Sequence, residues 1–249
     1  MSQSYGLSTR LDLNRAMRWM FASPQWLTNV FWVFLCTLLG TVVIGNIVLL
    51  GYQVEIVDRR SGGRQDQLPD FDANRFMDYL LRGIWPFLIN LIGSALLGVV
   101  FAAFFFAWML VFGILSGGED PGPLLAISMI TPMVLMAFLF GALAFSMLAP
   151  LCLRAGLAND LSEGLKINWA IDVVKMMWPT MLLMLVYMII VGLLAYLVGV
   201  LMCFVGVFFT MSWVQLVTAD LAAQAYDIYL SKGGEPIRTP TQAMQAEVL

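Results

Sequence analysis

The sequence predicts an all-α integral membrane protein with about five hydrophobic helical segments. Of its 249 residues, 61% are hydrophobic and 12% are charged, whereas soluble domains contain about 45–50% apolar and about 25% charged residues. The apolar residues form four charge-free blocks, each longer than the roughly 20 residues that cross a bilayer as a helix. The blocks are residues 26–54, 83–118, 121–153 and 176–219. Residues 1–249 are therefore predicted to form one multi-pass membrane domain.

The N-terminal residues 1–25 are predicted to lie at the membrane interface, and the first membrane segment covers residues 26–54. Three arginines precede this segment: Arg10, Arg15 and Arg18. One interpretation is a straight span, which places these arginines outside the cytoplasm. The other is a re-entrant hairpin that bends near residues 39–41 or 45–46 and returns to the same face. Each half then has about 14 residues and reaches about 21 Å, less than the roughly 30 Å hydrocarbon core.

Residues 58–82 are predicted to form a cytoplasmic linker followed by an interfacial helix. Asp72 can cap a helix that begins at Ala73. On helical spacing one side is largely apolar and is expected to face lipid, with Phe76, Tyr79, Leu80 and Gly83. The polar residues gather on the opposite side, with Asn74, Arg75, Asp78 and Arg82. The pair Trp85-Pro86 is expected to mark the bend from the membrane plane into the bilayer.

A similar arrangement is predicted for residues 160–177. Asp160 and Glu163 have the spacing of a capping box, and residues 166–175 form the second interfacial helix. The pair Trp178-Pro179 follows, as Trp85-Pro86 follows the first interfacial helix. Two explanations remain open at this point: an internal duplication, or the common composition of membrane interfaces.

The remaining apolar sequence is predicted to form two helical hairpins. The first covers residues 84–153, with its turn in the Gly-, Pro- and acid-containing link 116–122. The second covers residues 179–223, because its 44-residue apolar block is too long for one pass, with a tight turn at residues 202–204. Residues 231–249 are predicted to be a flexible tail.

The basic residues predict the orientation. All 13 lysines and arginines lie before the first, second and fourth apolar blocks or after the last one, and neither hairpin turn contains any. By the positive-inside tendency, loop 58–75 and the C-terminus face the cytoplasm, and Glu119-Asp120 faces the opposite side. This distribution predicts a multi-pass inner-membrane protein with a cytoplasmic C-terminus.

Several classes of function are excluded or disfavoured by composition. The chain has no histidine, and its three cysteines, Cys36, Cys152 and Cys203, lie far apart in apolar sequence. A His-based acid–base mechanism and a structural zinc site are therefore not expected. The net charge of −3 disfavours nucleic acid as a partner. No nucleotide-binding, hydrolase or metalloprotease motif is found, so no enzymatic activity, catalytic residue or cofactor is predicted.

One cluster of carboxylates allows two interpretations. Asp66, Asp70 and Asp72 lie close together in the linker. Hard cations are bound by several carboxylate oxygens, so a weak Ca²⁺ or Mg²⁺ site is one interpretation. The other is a solvated linker in which Asp72 serves as a helix cap, and this is the one we adopt, with no metal site predicted.

The sequence resembles the bacterial and archaeal membrane family known as domain of unknown function 4013. The similar stretches are Leu50-Gly51-Tyr52-Gln53-Val54 with Asp58-Arg59-Arg60, the linker Leu68-Pro69-Asp70-Phe71-Asp72, and the run from Gly199 to Tyr229. Glu55 and Asp58 depart from it, because the family stretch is usually basic. The resemblance implies an inner-membrane protein with a multi-helix membrane domain, and it assigns no catalytic or ligand residues.

Two functions are compatible with these observations. The first is a structural or organising membrane protein that shapes the membrane or belongs to a complex, with lipids and other subunits or copies of itself as partners. Its basis is the interfacial segments and the absence of ionisable residues within the four blocks. The alternative is a transporter or channel subunit for an uncharged or lipid-like molecule, with Asn90 and Gln215 lining a small polar cavity. A cavity between the hairpins would favour the alternative.

Overall fold

The protein is described by a computed structural model for residues 10–60, 68–115, 123–202 and 205–237. Within these ranges it contains α-helices, three short 3-10 turns and no strand. The helices are α1 (Leu13–Arg18), α2 (Trp26–Leu39), α3 (Ile44–Arg60), α4 (Phe76–Leu115), α5 (Pro123–Ala158), α6 (Leu161–Gly164), α7 (Ile167–Leu201) and α8 (Val205–Ser231). The predicted turns around Glu119-Asp120 and Cys203, together with Asp66, lie outside the described residues.

Four helices are long and apolar enough to cross a membrane: α4, α5, α7 and α8. Residues 84–115 form one unbroken helix, as the sequence predicts. The outer faces of these helices are apolar and exposed, for example at Val99, Leu110 and Val134. An apolar surface of this extent is favourable in lipid and unfavourable in water. The prediction of an all-α membrane protein is confirmed.

The long helices pack as two antiparallel pairs. In the first, Gly93 of α4 lies against Leu148 of α5, and further along the pair the rings of Phe101 and Phe140 are 5.5 Å apart. In the second, Gly199 near the end of α7 lies against Val207 near the start of α8. Glycine permits this approach because a Cβ at position 199 would come within 2.5 Å of the Val207 Cα.

The first membrane segment reverses direction instead of forming one straight helix. A 3-10 turn at Gly40–Val42 separates α2 from α3, and Val43 has a φ of 70°. Near the start of α2, Asn29 accepts a hydrogen bond from Phe71 N at 2.9 Å, and in the middle of α3, Tyr52 donates to Pro69 O at 2.7 Å. Both helices therefore contact the same linker, an arrangement that fits the re-entrant alternative. The bend lies at the first of the two predicted positions.

The predicted interfacial helices are not separate elements. Helices α4 and α7 continue without interruption through Pro86 and Pro179, so neither Trp–Pro pair ends a helix. Two side chains from other parts of the chain bond to backbone carbonyls here: the Cys152 thiol donates to Pro86 O at 3.4 Å, and Lys232 Nζ donates to Met176 O, three residues before Pro179, at 3.0 Å. A side-chain donor in the turn before a proline compensates for the backbone hydrogen bond that the proline cannot make.

The face of α4 that the sequence assigns to lipid is packed against protein instead. Tyr79 is only 1% exposed, whereas Phe76 is 38% and Met77 63% exposed. A Cβ on Gly83 would collide with the carbonyl oxygen of Ile47 in α3. The sequence pattern shows that this face is apolar, but it does not show that α3, and not lipid, packs against it.

The helix caps agree with the sequence, apart from the capping box. Asp72 accepts a hydrogen bond from Asn74 N at 2.9 Å, and Asp160 accepts one from Ser162 N at 2.8 Å. Glu163 bonds to Arg154 and Lys166 instead of closing the predicted box. The backbone N–H of Asp160, which a capping box would use, donates to Ala155 O at 3.2 Å.

Both chain ends are more firmly packed than predicted. In α1 and the turn after it, Ala16 and Trp19 are buried against the helix pairs. The start of the predicted flexible tail folds back on α8: Glu235 N donates to Tyr229 OH at 3.1 Å and Ile237 N to Tyr226 OH at 2.9 Å. Residues 232–237 of the predicted tail therefore contact α8, and the flexibility of the tail stays a prediction; residues 238–249 lie outside the described residues.

Candidate functional site: an interhelical crevice

The described basic side chains are brought together at one end of the helix bundle. Arg60, at the end of α3, lies over the Trp19 ring at 4.9 Å. Arg75 bonds to Glu55 of α3, and Arg154 lies over the Trp169 ring of α7 at 4.7 Å. These contacts link α3, α5 and α7 with the turn after α1 and the turn before α4. The bundle therefore has one charged end, as its sequence pattern suggests.

Two acids that depart from the family pattern join α3 to α4. Glu55 accepts two hydrogen bonds from the Arg75 guanidinium, at 2.7 and 3.0 Å. One turn along, Asp58 forms an ion pair with Arg82. A bidentate carboxylate–guanidinium pair fixes the relative position of the two helices. These acids are therefore structural contacts within an otherwise basic stretch.

A buried ion pair was missed by the sequence analysis. Asp220 in α8 is fully buried and pairs with Arg60, which is 4% exposed. Gln224, one turn further along α8, donates to the Asp220 carboxylate at 2.6 Å and to Asp12 O at 3.1 Å. Asp220 falls within the predicted hairpin 179–223, although the apolar block was ended at 219. The four apolar blocks contain no ionisable residue, but the predicted hairpin 179–223 does contain one, Asp220.

The signal for this pair was present in the sequence. Asp220 and Gln224 are four residues apart and so share one face of α8. The fully buried Ala219 and Leu221 flank Asp220, so an acid here requires a buried partner. Only the fold shows that Arg60, 160 positions earlier in the chain, supplies it.

A crevice of about 390 Å³ is lined by residues of α3, α4, α5 and α8. Most of its wall is apolar. The lining residues are Leu50, Gln53, Val54, Val57, Pro86, Asn90, Ser94, Ala144, Phe145, Leu148, Ala149, Cys152, Leu153, Thr218, Ala219 and Ala222. None of these is ionisable apart from the Cys152 thiol. The crevice is thus suited to an uncharged group with a large apolar part.

The polar groups of the crevice lie on two of its sides. On α4, Ser94 donates to Asn90 Oδ1 at 3.0 Å. The Asn90 side-chain NH₂ donates to no other group among the described residues. On the opposite side, Gln53 donates to Gln215 Oε1 at 2.8 Å. Asn90 therefore lines the crevice. Gln215 does not line it, but is bonded to the lining residue Gln53.

A second, wholly apolar part of the crevice lies between α5, α7 and α8. Its volume is about 80 Å³, and three methionines line it: Met177, Met181 and Met184. Four residues line both parts of the crevice: Phe145, Ala149, Leu153 and Ala222. These shared residues, three from α5 and one from α8, make the two parts neighbouring spaces. Flexible methionines suit an apolar ligand of variable shape.

The linker acids serve the fold. Asp70 Oδ1 accepts hydrogen bonds from Ser23 Oγ and Asn29 Nδ2, both at 3.1 Å. Asp72 caps the turn at Ala73–Arg75. Within the part of the chain that is described, no group of three potential ligands is arranged to hold a metal ion.

One carboxylate at the charged end has a perturbed pKa. Hydrogen bonds from Lys166 and Arg154 hold the pKa of Glu163 below its ordinary value. A lowered pKa stabilises the folded protein above the pKa that this group has when unfolded, and the stabilisation is lost as the pH falls through the folded pKa.

We expect Glu163→Gln to lower the free energy of unfolding at pH 7 by about 0.5 kcal/mol, a small loss because solvent screens this pair. The difference from the unsubstituted protein should disappear at acid pH, once the carboxylate is protonated in both the folded and the unfolded protein. Thermal unfolding in detergent at the two pH values measures this. A difference that persists unchanged at the lower pH would show that the ion pairs are not its cause.

These features define an integral membrane protein with two long antiparallel helix pairs, the shorter pair α2–α3 and an interhelical crevice. The chain belongs to the family described as Protein of unknown function (DUF4013), whose match covers residues 34–204. The matched region contains the Leu50–Arg60 stretch and the linker 68–72, whereas all of α8 follows it. No curated protein and no solved structure matches the chain.

Proposed function

We propose that this protein binds an uncharged or lipid-like molecule in the crevice between its helix pairs and acts as a carrier or channel subunit for it. The observation that carries the proposal is the position of Asn90, an exposed amide within the apolar stretch of α4 that lines the crevice. The ligand supplies the hydrogen-bond acceptor that the Asn90 NH₂ group requires.

The depth of Asn90 supports this proposal. It lies eight residues beyond Arg82, which corresponds to about 12 Å along a helix axis. An amide at that depth in hydrocarbon costs free energy unless it is hydrogen-bonded. A ligand with a hydroxyl, ester or phosphate oxygen beside an apolar chain satisfies both the amide and the walls. The crevice is also the feature that distinguishes this function from a solid, purely structural helix bundle.

A second candidate is a membrane-shaping or organising role, and the re-entrant pair favours it. Helices α2 and α3 have 14 and 17 residues, or about 21 and 26 Å. These lengths are short of the roughly 30 Å hydrocarbon core. Exposed apolar residues such as Phe31 and Leu38 cover α2. A helix pair inserted from one face expands that leaflet, and it offers a surface to other subunits or to a second copy of the chain.

Filling the crevice tests the first candidate. Ala149 is exposed and lines both parts of the crevice, so we expect Ala149→Phe to occupy the ligand space without disturbing a packed core. Ala103→Phe is the matched control, because Ala103 is equally exposed on α4 but outside the crevice. Lipid retained after purification in mild detergent should fall at least fivefold in the first variant only. Equal retention in both variants would refute the crevice as the binding site.

We also propose an inner-membrane location with the charged end in the cytoplasm, based on the positive-inside tendency. In a variant without native cysteines, Ser162→Cys and Ser231→Cys should be protected from an impermeant thiol reagent in intact cells, whereas Met202→Cys should be labelled. All three positions are exposed. The reverse labelling pattern would show that the charged end faces outward.

A further inference from the structure

A polar pocket of about 600 Å³ lies at the charged end, where α7 begins. It is lined by Arg154, Leu165, Lys166, Ile167, Asn168, Trp169, Asp172 and Glu235. Leu165 and Ile167, at its edge, are 52% and 58% exposed. Exposed apolar residues beside a charged pocket place it at the membrane surface, where headgroups and water meet.

The polar pocket adjoins the apolar part of the crevice through one side chain. Trp169 lines both spaces, and its indole N–H donates to Tyr229 OH at 3.0 Å. Leu153, in the crevice wall, directly precedes Arg154 in the pocket wall. The polar pocket and the methionine-lined part of the crevice therefore lie on either side of Trp169. A phospholipid has the same arrangement, with a polar headgroup next to an apolar chain.

The pocket wall carries charges of both signs. Two of its lining residues are cationic, Arg154 and Lys166, and two are carboxylates, Asp172 and Glu235. A ligand with both a phosphate and an ammonium group would be paired at each end, whereas an anion alone would meet two carboxylates. We propose that this pocket binds the zwitterionic, phosphoethanolamine-type headgroup of a phospholipid whose chain lies in the crevice. The proposal rests on the proposed function and names its ligand class.

The two cations are held in place while keeping donors for a phosphate. Glu163 accepts bonds from Arg154 Nε and Nη2, at 3.0 and 2.7 Å, which leaves the Nη1 hydrogens. Stacking on Trp169 orients the same guanidinium. Lys166 pairs with Glu163 and retains two further N–H groups. A positioned guanidinium loses little freedom when it binds phosphate, which favours Arg154 as the main phosphate ligand.

The carboxylates are placed for the ammonium group. Asp172 lies one helical turn beyond Asn168 on α7, on the same face. Glu235 comes from the segment after α8, which is fixed by the bond from its backbone N to Tyr229 OH. Because this segment and α7 supply one carboxylate each, the folded C-terminal segment completes the pocket. This gives a function to residues 232–237, which were predicted to be flexible.

The test compares lipids with identical chains and different headgroups. The full-length protein in detergent is titrated with phosphatidylethanolamine, phosphatidylglycerol and diacylglycerol, and the bound lipid is counted by native mass spectrometry. We expect phosphatidylethanolamine to bind about tenfold more tightly than either of the others. Asp172→Asn with Glu235→Gln should abolish the preference over phosphatidylglycerol and leave diacylglycerol binding unchanged. Lys166→Gln, at a half-exposed side chain that tolerates substitution, should reduce the preference over diacylglycerol.

The outcomes separate this proposal from the proposed function. Equal affinity for the three lipids, with binding still blocked by Ala149→Phe, would overturn the headgroup site and leave the crevice in place. Binding of none of the lipids would overturn both. A phosphatidylglycerol preference would show that the carboxylates do not face an ammonium group. Free phosphoethanolamine that binds as tightly as the lipid, with no contribution from the chains, would identify a soluble ligand and also overturn the proposal.

Discussion

Replacing Gly83 by leucine should prevent stable folding. A Cβ at this position would collide with Ile47 O of α3, and a Cβ at Gly51 of α3 would collide with Tyr79 O of α4. The backbones of α3 and α4 are thus in direct contact at both glycines. Neither helix can move away from an added side chain without breaking this contact. Overpacking costs about 1–3 kcal/mol where side chains can adjust. Against backbone atoms we expect a loss of about 3 kcal/mol or more, measured as unfolding in detergent.

Gly98→Leu is the matched control, because position 98 lies in the same helix with no atom within 4 Å of an added Cβ. It should change stability by no more than about 1 kcal/mol, and in the stabilising direction, since leucine favours helix over glycine. If both leucine variants unfolded alike, the close contact between α3 and α4 would not be a determinant of the fold.

The second large effect is expected at the buried pair of Arg60 and Asp220. Removing one partner leaves the other charge buried, which costs about 3–5 kcal/mol. Arg60→Met and Asp220→Asn should therefore each lower the free energy of unfolding by this amount. The double variant should recover most of the loss, because asparagine still offers Gln224 an acceptor and no unpaired charge remains. Denaturation in detergent measures all four proteins of the cycle.

Asp78→Asn provides the control for this cycle. Its side chain is 65% exposed and lies 3.4 Å from Arg75, so we expect a loss below about 1 kcal/mol. Strictly additive losses in the double variant of Arg60 and Asp220 would contradict the account, because they would show that the two charges do not depend on each other.

The sequence predicts the long helices well because membrane hydropathy is a property of each segment alone. The unbroken helix over 84–115 and the caps at Asp72 and Asp160 depend on neighbouring residues, so the sequence contains what is needed to predict them. The course of residues 26–54 stayed open because a single helix and a re-entrant pair share the same composition. What decides between them is non-local: Asn29 accepts a hydrogen bond from the linker, and Tyr52 donates one to it.

The site could be predicted only in part, for the same physical reason. The sequence identifies Asn90 and Gln215 as polar groups in apolar helices. The crevice that Asn90 lines could not be predicted, because it depends on how α5 packs against α3, α4 and α8. The pairing of Arg60 with Asp220 joins helices distant in sequence. Glu235 enters its pocket only because Tyr226 and Tyr229 fix the segment after α8.

Lipid crosslinking shows whether a lipid binds in the crevice. A phospholipid with a photoreactive group in its acyl chain is mixed with the full-length protein at about one lipid per protein, irradiated, and located by peptide mass spectrometry. The account predicts adducts on the crevice residues Met177, Met181 and Ala222. Adducts confined to the outer faces of the long helices, such as Val99, Leu110 and Val134, with none in the crevice, would contradict it.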